Sequence, residues 1–320
     1  MAHESGLLFA ADWTGPGGVA IVDTKDGTVR RHLASIDGPG IKPNGILLEA
    51  DGSFLLTHLD STAGGVFRLQ PDGRVDPVLL QVNGYALPPT NFAARDAEGR
   101  LYITVSTRQI PRHQAANARV RDGFIVLLPP DGEPKIVADG IGYTNECLLS
   151  PDGRQLFVNE TFGRQTSVYS VRTDGSLGDP EVFAQYGEGV FPDGLAFDEE
   201  GHLWVVSIIS NTVLRCAPDG RSAVIMDDRD EARVGAVEAA YLAARLTREL
   251  LDAPHAGPLK NVSSIAFGGA DGMSAYLGCL LGDSIAHFRT TVPGLRPPHF
   301  DVSLAPLQEA GVLSHPSIEA

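Results

Sequence analysis

The 320-residue chain holds 40 acidic against 25 basic side chains, and a formal charge of −15 argues against nucleic acid and anionic membrane as partners. With 43% hydrophobic residues, 36 glycines and 22 prolines, it reads as one well-packed core cut by many tight turns, a single domain over residues 1–320. No apolar run approaches the ~20 residues of a membrane span. The first residues, MAHESGLLFAADW, lack the basic and apolar segments of a secretion signal, so a cytoplasmic protein is expected.

Taken in chain order, three strands come first: Leu7 to Ala11, Gly18 to Asp23 and Thr28 to Leu33, turning at Lys25-Asp26-Gly27. A repeat follows. Its copies read PNGILLEADGSFLL from Pro43, TNFAARDAEGRLYI from Thr90, TNECLLSPDGRQLFV from Thr144, PDGLAFDEEGHLWVV from Pro192 and, more weakly, SSIAFGGADGMSAYL from Ser263. Within the first copy, strands are expected from Asn44 to Leu48, Ser53 to Thr57, Gly65 to Leu69 and Val75 to Leu80. The Asp51-Gly52 and Asp72-Gly73 turns separate them, because Gly supplies the positive φ that a tight hairpin needs. Four-strand repeats are blades of a propeller, and five copies plus the N-terminal one make six. The fold class is therefore all-β, a six-bladed β-propeller with one inserted helix over the axial pocket face. The run from Phe300 to Leu304 is the expected closing strand, for either the last blade or the first.

Two segments break the rhythm. Residues 107–121 interrupt a blade between its second and third strands, and residues 227–256 precede the last one. The second is rich in Ala, Leu, Glu and Arg and is expected to be helical over 230–251, with Val234, Val237, Tyr241 and Ala244 on one stripe. Blade topology sends both insertions to the face where the innermost strands begin, as a lid. The apolar stripe could equally meet a second subunit, so a homo-oligomer is possible.

The residues leading the repeats are Asn44, Asn91, Asn145, Asp193 and Ser263, spaced 47, 54, 48 and 70 apart. Equivalent blade positions point at one axis, so four Asx side chains at one register offer oxygen ligands to a hard cation. Asn and Asp also cap strand entries through their own backbone, the alternative for any one of them. The aromatics Tyr102, Phe157 and Trp204 read as packing between blades. Cys147, Cys216 and Cys279 lack metal-site spacing and read as buried thiols. No G-x-S-x-G elbow or P-loop is present.

TNECLLSPDGRQLFV and FPDGLAFDEEGHLWVV resemble blades of the senescence marker protein / gluconolactonase / luciferin-regenerating enzyme family. SSIAFGGADGMSAYLG followed by Val292 to Leu295 (VPGL) resembles that family's last blade and ending, so the resemblance spans roughly residues 40–297. It implies a six-bladed propeller with an axial divalent cation, usually calcium, with magnesium, manganese or zinc as the other possibilities, and activity as a lactone hydrolase. It makes Asn145 and Asp193 metal ligands and Asn91 a ligand or substrate contact. At the register of the family's remaining ligand, a Glu, this sequence has Asn44, which leaves Asp193 as the ring's only formal carboxylate. Weak cation binding, with Kd around ~10⁻⁴–10⁻³ M, is expected from so low a charge.

Such a cation polarises an ester carbonyl, and a base must then activate water. Asp193 and Glu160 are the candidate catalytic residues. His58, Arg108, His113 and Tyr143, with Asn91, are the candidate substrate contacts, and Arg112 could close over the substrate. The function expected is a metal-dependent hydrolase of a lactone or related small cyclic ester. The alternatives are a lyase, isomerase or condensing enzyme on the same pocket, or a non-catalytic propeller that binds a small ligand.

Overall fold

The computed structural model describes residues 1–254 and 257–313. Its strands form six antiparallel sheets in which each strand pairs with the next in sequence. The first blade is Leu7–Asp12, Gly18–Asp23 and Val29–Leu33, and the second is Pro43–Leu48, Phe54–His58, Val66–Leu69 and Val75–Leu79. The third is Thr90–Arg95, Leu101–Val105, Gly123–Leu128 and Lys135–Ile141, and the fourth is Thr144–Leu149, Gln155–Glu160, Gln165–Ser170 and Glu181–Gln185. Val190–Phe197, Leu203–Ile209, Thr212–Cys216 and Ser222–Asp227 make the fifth, and Val262–Gly268, Ser274–Cys279 and Ala286–Arg289 the sixth. The molecule is a six-bladed β-propeller.

A blade is apolar on both faces because each face packs on a neighbouring blade, so its middle strands are not alternating but wholly buried, as in Leu101–Val105. Phe9, Ile21 and Phe54 lie between the first two blades, and Leu55, Ile103 and Phe124 between the second and third. Tyr102, Phe157 and Trp204 fill the next three gaps, as packing aromatics. Each has a partner: the Tyr102 hydroxyl donates to Gly175 O, Phe157 meets Phe197 edge-on, and Trp204 Nε1 donates to Asp198 Oδ2. The thiols of Cys147 and Cys216 are buried and that of Cys279 partly so, and all three are free of disulfides.

The innermost strand of blades two to six is irregular at one place, beside its leading polar residue. Ladder register shifts between Pro43 and Ile46, Thr90 and Phe92, Thr144 and Cys147, Pro192 and Leu195, and Val262 and Ser264. A bulge of this kind frees a residue from the strict alternation of a strand and re-aims it, here toward the axis. Gly194 shows how tight the bulge is. A Cβ there would meet Ser263 O at 2.6 Å and Ser264 Cα at 2.7 Å, both backbone atoms of the next blade. Gly194→Ala is therefore expected to cost about 1–3 kcal/mol of stability, read as a lowered midpoint in urea. An unchanged midpoint would mean the blades slide apart freely.

Helix α1 (Glu231–Leu242) starts at Asp230, whose side chain accepts from the N–H groups of Ala232 and Arg233. It is shorter than the expected 230–251 helix. Ala244 adopts φ 53, which ends the helix and takes Ala244 off the stripe. The chain re-enters a single turn, α2 (Arg248–Leu251), capped by Thr247. Val234, Val237 and Tyr241 are buried in one apolar cluster with Ala115, Ala116, Phe162, Phe191 and Ile208, so the stripe is spent within the chain. Both insertions thus meet on the face where the innermost strands of blades four and five begin. The last two residues of the second insertion, 255 and 256, lie outside the described residues, as does the tail after 313.

The run from Phe300 to Leu304 forms no strand. Val302 and Leu304, with Leu307 of α3 (Ala305–Glu309), pack on the cluster between the first two blades. Among the described residues the first and sixth blades keep three strands each. The N-terminal segment and this C-terminal run meet instead: Glu4 N donates to Phe300 O, and a ring nitrogen of His3 lies 2.8 Å from Val302 O.

Candidate functional site

A cavity of about 1940 Å³ runs along the axis. The heads of the innermost strands line it with Asn44, Asn91, Asn145, Asp193 and Ser263. Asn44 Nδ2 donates to Asn91 O and to Asn91 Oδ1, each at 3.0 Å, and Asn91 Nδ2 donates to Ser106 Oγ at 3.1 Å. Asn145 Nδ2 donates to Thr161 Oγ1 at 2.8 Å, but its Oδ1 is buried with no hydrogen-bond partner in a residue only 4% exposed. A buried acceptor without a donor, in a residue that lines a cavity, is a place for a ligand.

Asp193 stands beside Asn145. Burial pushes its carboxyl up to about 7, against the hydrogen bond from Asn145 and the charge of Arg112, which both pull it down. Arg112 comes from the first insertion, where its N–H to Ser61 O fixes a single 3-10 turn, Arg112–Ala115. Its Nη1 donates to the Tyr143 hydroxyl at 2.8 Å. Tyr143 is buried, sits at φ 66 two residues before Asn145, and meets Phe162 edge-on. Arg112 and Tyr143 therefore form one polar feature of the cavity wall, facing Asp193. His113 also lines the cavity and is exposed.

Three expected site residues are elsewhere. Glu160 is 2% exposed and does not reach the axial cavity; its Oε2 accepts from Arg121 Nη2 and Gly142 N, and its Oε1 from Gln165 Nε2 and Ser167 Oγ. A carboxylate holding four donors has no capacity left to serve as a base. Arg108 grips Asp139 with both terminal nitrogens and lies over the Phe124 ring, on the outer side of its own blade. His58 Nδ1 accepts from Lys42 N, and burial keeps its ring below the usual imidazole range. Each anticipated charge found a local partner.

One cavity residue escaped the sequence reading. Glu146 lines the axis directly after Asn145, and its Oε2 accepts from Leu195 N of the next blade at 3.3 Å. Burial and, next, the charge of Asp193 push this carboxyl well above the usual range. Asp193 is thus not the ring's only carboxylate. Strict strand alternation sends neighbours to opposite faces, and only the shift between Thr144 and Cys147 lets both Asn145 and Glu146 face the axis.

The donor set is oxygen throughout. No group of three or more His, Cys, Asp or Glu gathers among the described residues, and the Asx side chains at this register offer oxygen, the ligand type of a hard cation. The orphaned Asn145 Oδ1 and the buried Asp193 carboxyl fit such an ion.

These features define the class: a six-bladed propeller with an Asx-lined axial pocket under a partial lid. Residues 71–227 match the SMP-30/Gluconolactonase/LRE-like region. That match covers the middle of the chain and agrees with the resemblance read from its blades. Among solved structures it is similar to a luciferin-regenerating enzyme, with a TM-score of 0.63 and 16% identity over 93% of this chain and 92% of that one. A gluconolactonase from Xanthomonas campestris superposes with a TM-score of 0.60 and 21% identity, over 87% of this chain and 79% of that one. Regucalcin from Agrobacterium tumefaciens, described as a calcium-binding protein, gives 0.59 and 17% over 92% and 89%. At such identities the likeness is one of fold. No helix among the described residues is long and apolar enough to cross a membrane.

Proposed function

We propose that the protein hydrolyses a lactone or related small cyclic ester in the axial pocket, with a divalent cation, calcium first, held by Asp193 and Asn145 with Asn91 and Asn44. The observation that carries this reading is the buried Asp193 carboxyl beside an Asn145 oxygen that has no donor. When bound, the cation supplies Lewis-acid polarisation of the ester carbonyl.

The chain's own groups do the rest. The Asn pair is locked by the two hydrogen bonds that Asn44 Nδ2 donates to Asn91, and it fixes one side of the pocket. Asp193, which a bound cation would favour in its ionised form, takes a proton from the water whose oxygen bonds to the carbonyl carbon. As the ring C–O bond breaks, that proton passes to the departing alkoxide. Arg112, oriented by Tyr143, donates to the carbonyl oxygen as its charge grows and then to the product carboxylate. The apolar cluster joining α1 to the first insertion keeps water from the lid side of the site.

A panel of lactones and aryl esters, assayed by proton release with calcium, magnesium or manganese and with chelator, tests the reading. Turnover should appear with a lactone and vanish in chelator; none with any metal would overturn it. Arg112→Ala should lower kcat/KM by about 10²-fold, as loss of one oxyanion donor does elsewhere. Tyr143→Phe, which leaves Arg112 in place but unanchored, should show a smaller loss. Equal rates in both variants and the parent would remove Arg112 from the site.

A further inference from the structure

The bulges at the strand heads differ in one respect. In three of them two residues leave the ladder, the axial Asx and the residue after it: Asn44-Gly45, Asn145-Glu146 and Asp193-Gly194. Two of the three second positions are glycine, and a Cβ on either would press on the neighbouring blade. At Gly45 it would come within 2.9 Å of Phe92 Cα, and at Gly194 within 2.6 Å of Ser263 O. The second position therefore abuts the next blade beside the axis. In the fourth blade it carries a carboxylate.

That carboxylate is chemically incomplete. Its one hydrogen bond within the described residues is the long contact of 3.3 Å from Leu195 N, two residues past Asp193. Glu160, on the adjacent strand of the same blade, shows what a satisfied buried carboxylate looks like, with four donors at 2.5–2.8 Å. Beside Glu146 stands the second and independent deficiency, the orphaned Asn145 Oδ1. Asp193 lines the same cavity, and the Met1 amino group is engaged with Phe9 O. An oxygen-ligated divalent ion answers both shortages at once.

We infer that Glu146 is a further ligand of the axial cation, a second carboxylate that restores at the fourth blade the charge absent at Asn44. The inference rests on the cation reading above and adds to it a ligand at a position where two other blades keep glycine. It also raises the expected affinity above that of a site with one carboxylate, because ligand charge is a main lever on calcium binding.

Calcium titration of the full chain by calorimetry, after chelator treatment, tests this without reference to activity. The parent should bind one ion, and Glu146→Gln should weaken binding about tenfold or more. Glu146→Gly, which copies positions 45 and 194, should weaken it equally, while Glu188→Gln, at an exposed carboxylate, should leave it unchanged. Melting curves in chelator establish that each variant is folded. Parent-like affinity in folded Glu146→Gln would overturn the inference and leave the cation reading standing. No binding to the parent at millimolar calcium would overturn both.

Discussion

Asp193→Asn should abolish lactone hydrolysis and, in chelator, raise the melting temperature at pH 8. The loss of activity follows from its place as base and cation ligand; a fall of about 10³-fold or more, ~4 kcal/mol of barrier, is expected. The gain in stability follows from burial. An unfolded Asp ionises near ~3.9, whereas burial puts the folded group at about 7. Between those values the folded chain holds the extra proton, so stability is full below pH ~4, falls as pH rises, and reaches its deficit above pH ~7. At ~1.4 kcal/mol per unit the deficit is as large as about 4 kcal/mol. The Asn variant has no charge to desolvate and escapes it. Melting curves from pH 5 to 8.5 should therefore slope downward in chelator and flatten on adding calcium, since a bound cation favours the ionised form. Glu146 contributes a slope of the same sign, so Asp193→Asn should reduce the slope rather than erase it. Superimposable curves for parent and variant would refute this account, and retained turnover would remove Asp193 from catalysis.

Glu160→Ala should behave in the opposite way, losing stability and keeping chemistry. The side chain collects Arg121, Gly142 N, Gln165 and Ser167, joining the start of the fourth blade to the end of the first insertion. Truncation leaves a backbone N–H and a cation without their acceptor, at a cost of about 3–5 kcal/mol. For a chain of this size the midpoint should fall by on the order of ten degrees. Glu160→Gln keeps part of the network and should fall between. Activity per folded molecule, measured well below the transition, should be unchanged in both. A variant that melts like the parent but fails to turn over would return Glu160 to the mechanism.

The contrast between these two carboxylates marks the limit of sequence reading. Blade count, turn positions and the common register of Asn44, Asn91, Asn145 and Asp193 follow from repetition, and repetition is visible in one chain. So is the face on which the insertions emerge, because strand direction dictates it. Partner choice is not repetitive. The sequence reading places Glu160, at a strand end, and Arg108, in the first insertion, at the pocket, but Arg121 and Asp139 reach them from a loop and a strand edge that the repeat does not constrain. Glu146 was passed over for the converse reason: a period of two assigns it to the wrong side, and the two-residue bulge that overrides the period has no residue signature when its second position is Glu rather than Gly. The break at Ala244 was equally silent, since a strong helix former occupies the positive-φ position.

The way the ring shuts has a consequence of its own. Ala2 packs against Gly268 of the sixth blade, the amino group of Met1 reaches Phe9 O, and the Phe300–Leu304 run lies over the first two blades, yet no ladder of strands is shared across this junction among the described residues. Such a junction is a clasp of side chains and single hydrogen bonds, where a shared strand would be a weld. Breathing of the toroid, and with it any change in the bore that the axial side chains line, is therefore concentrated at one joint, the seam between the first and sixth blades.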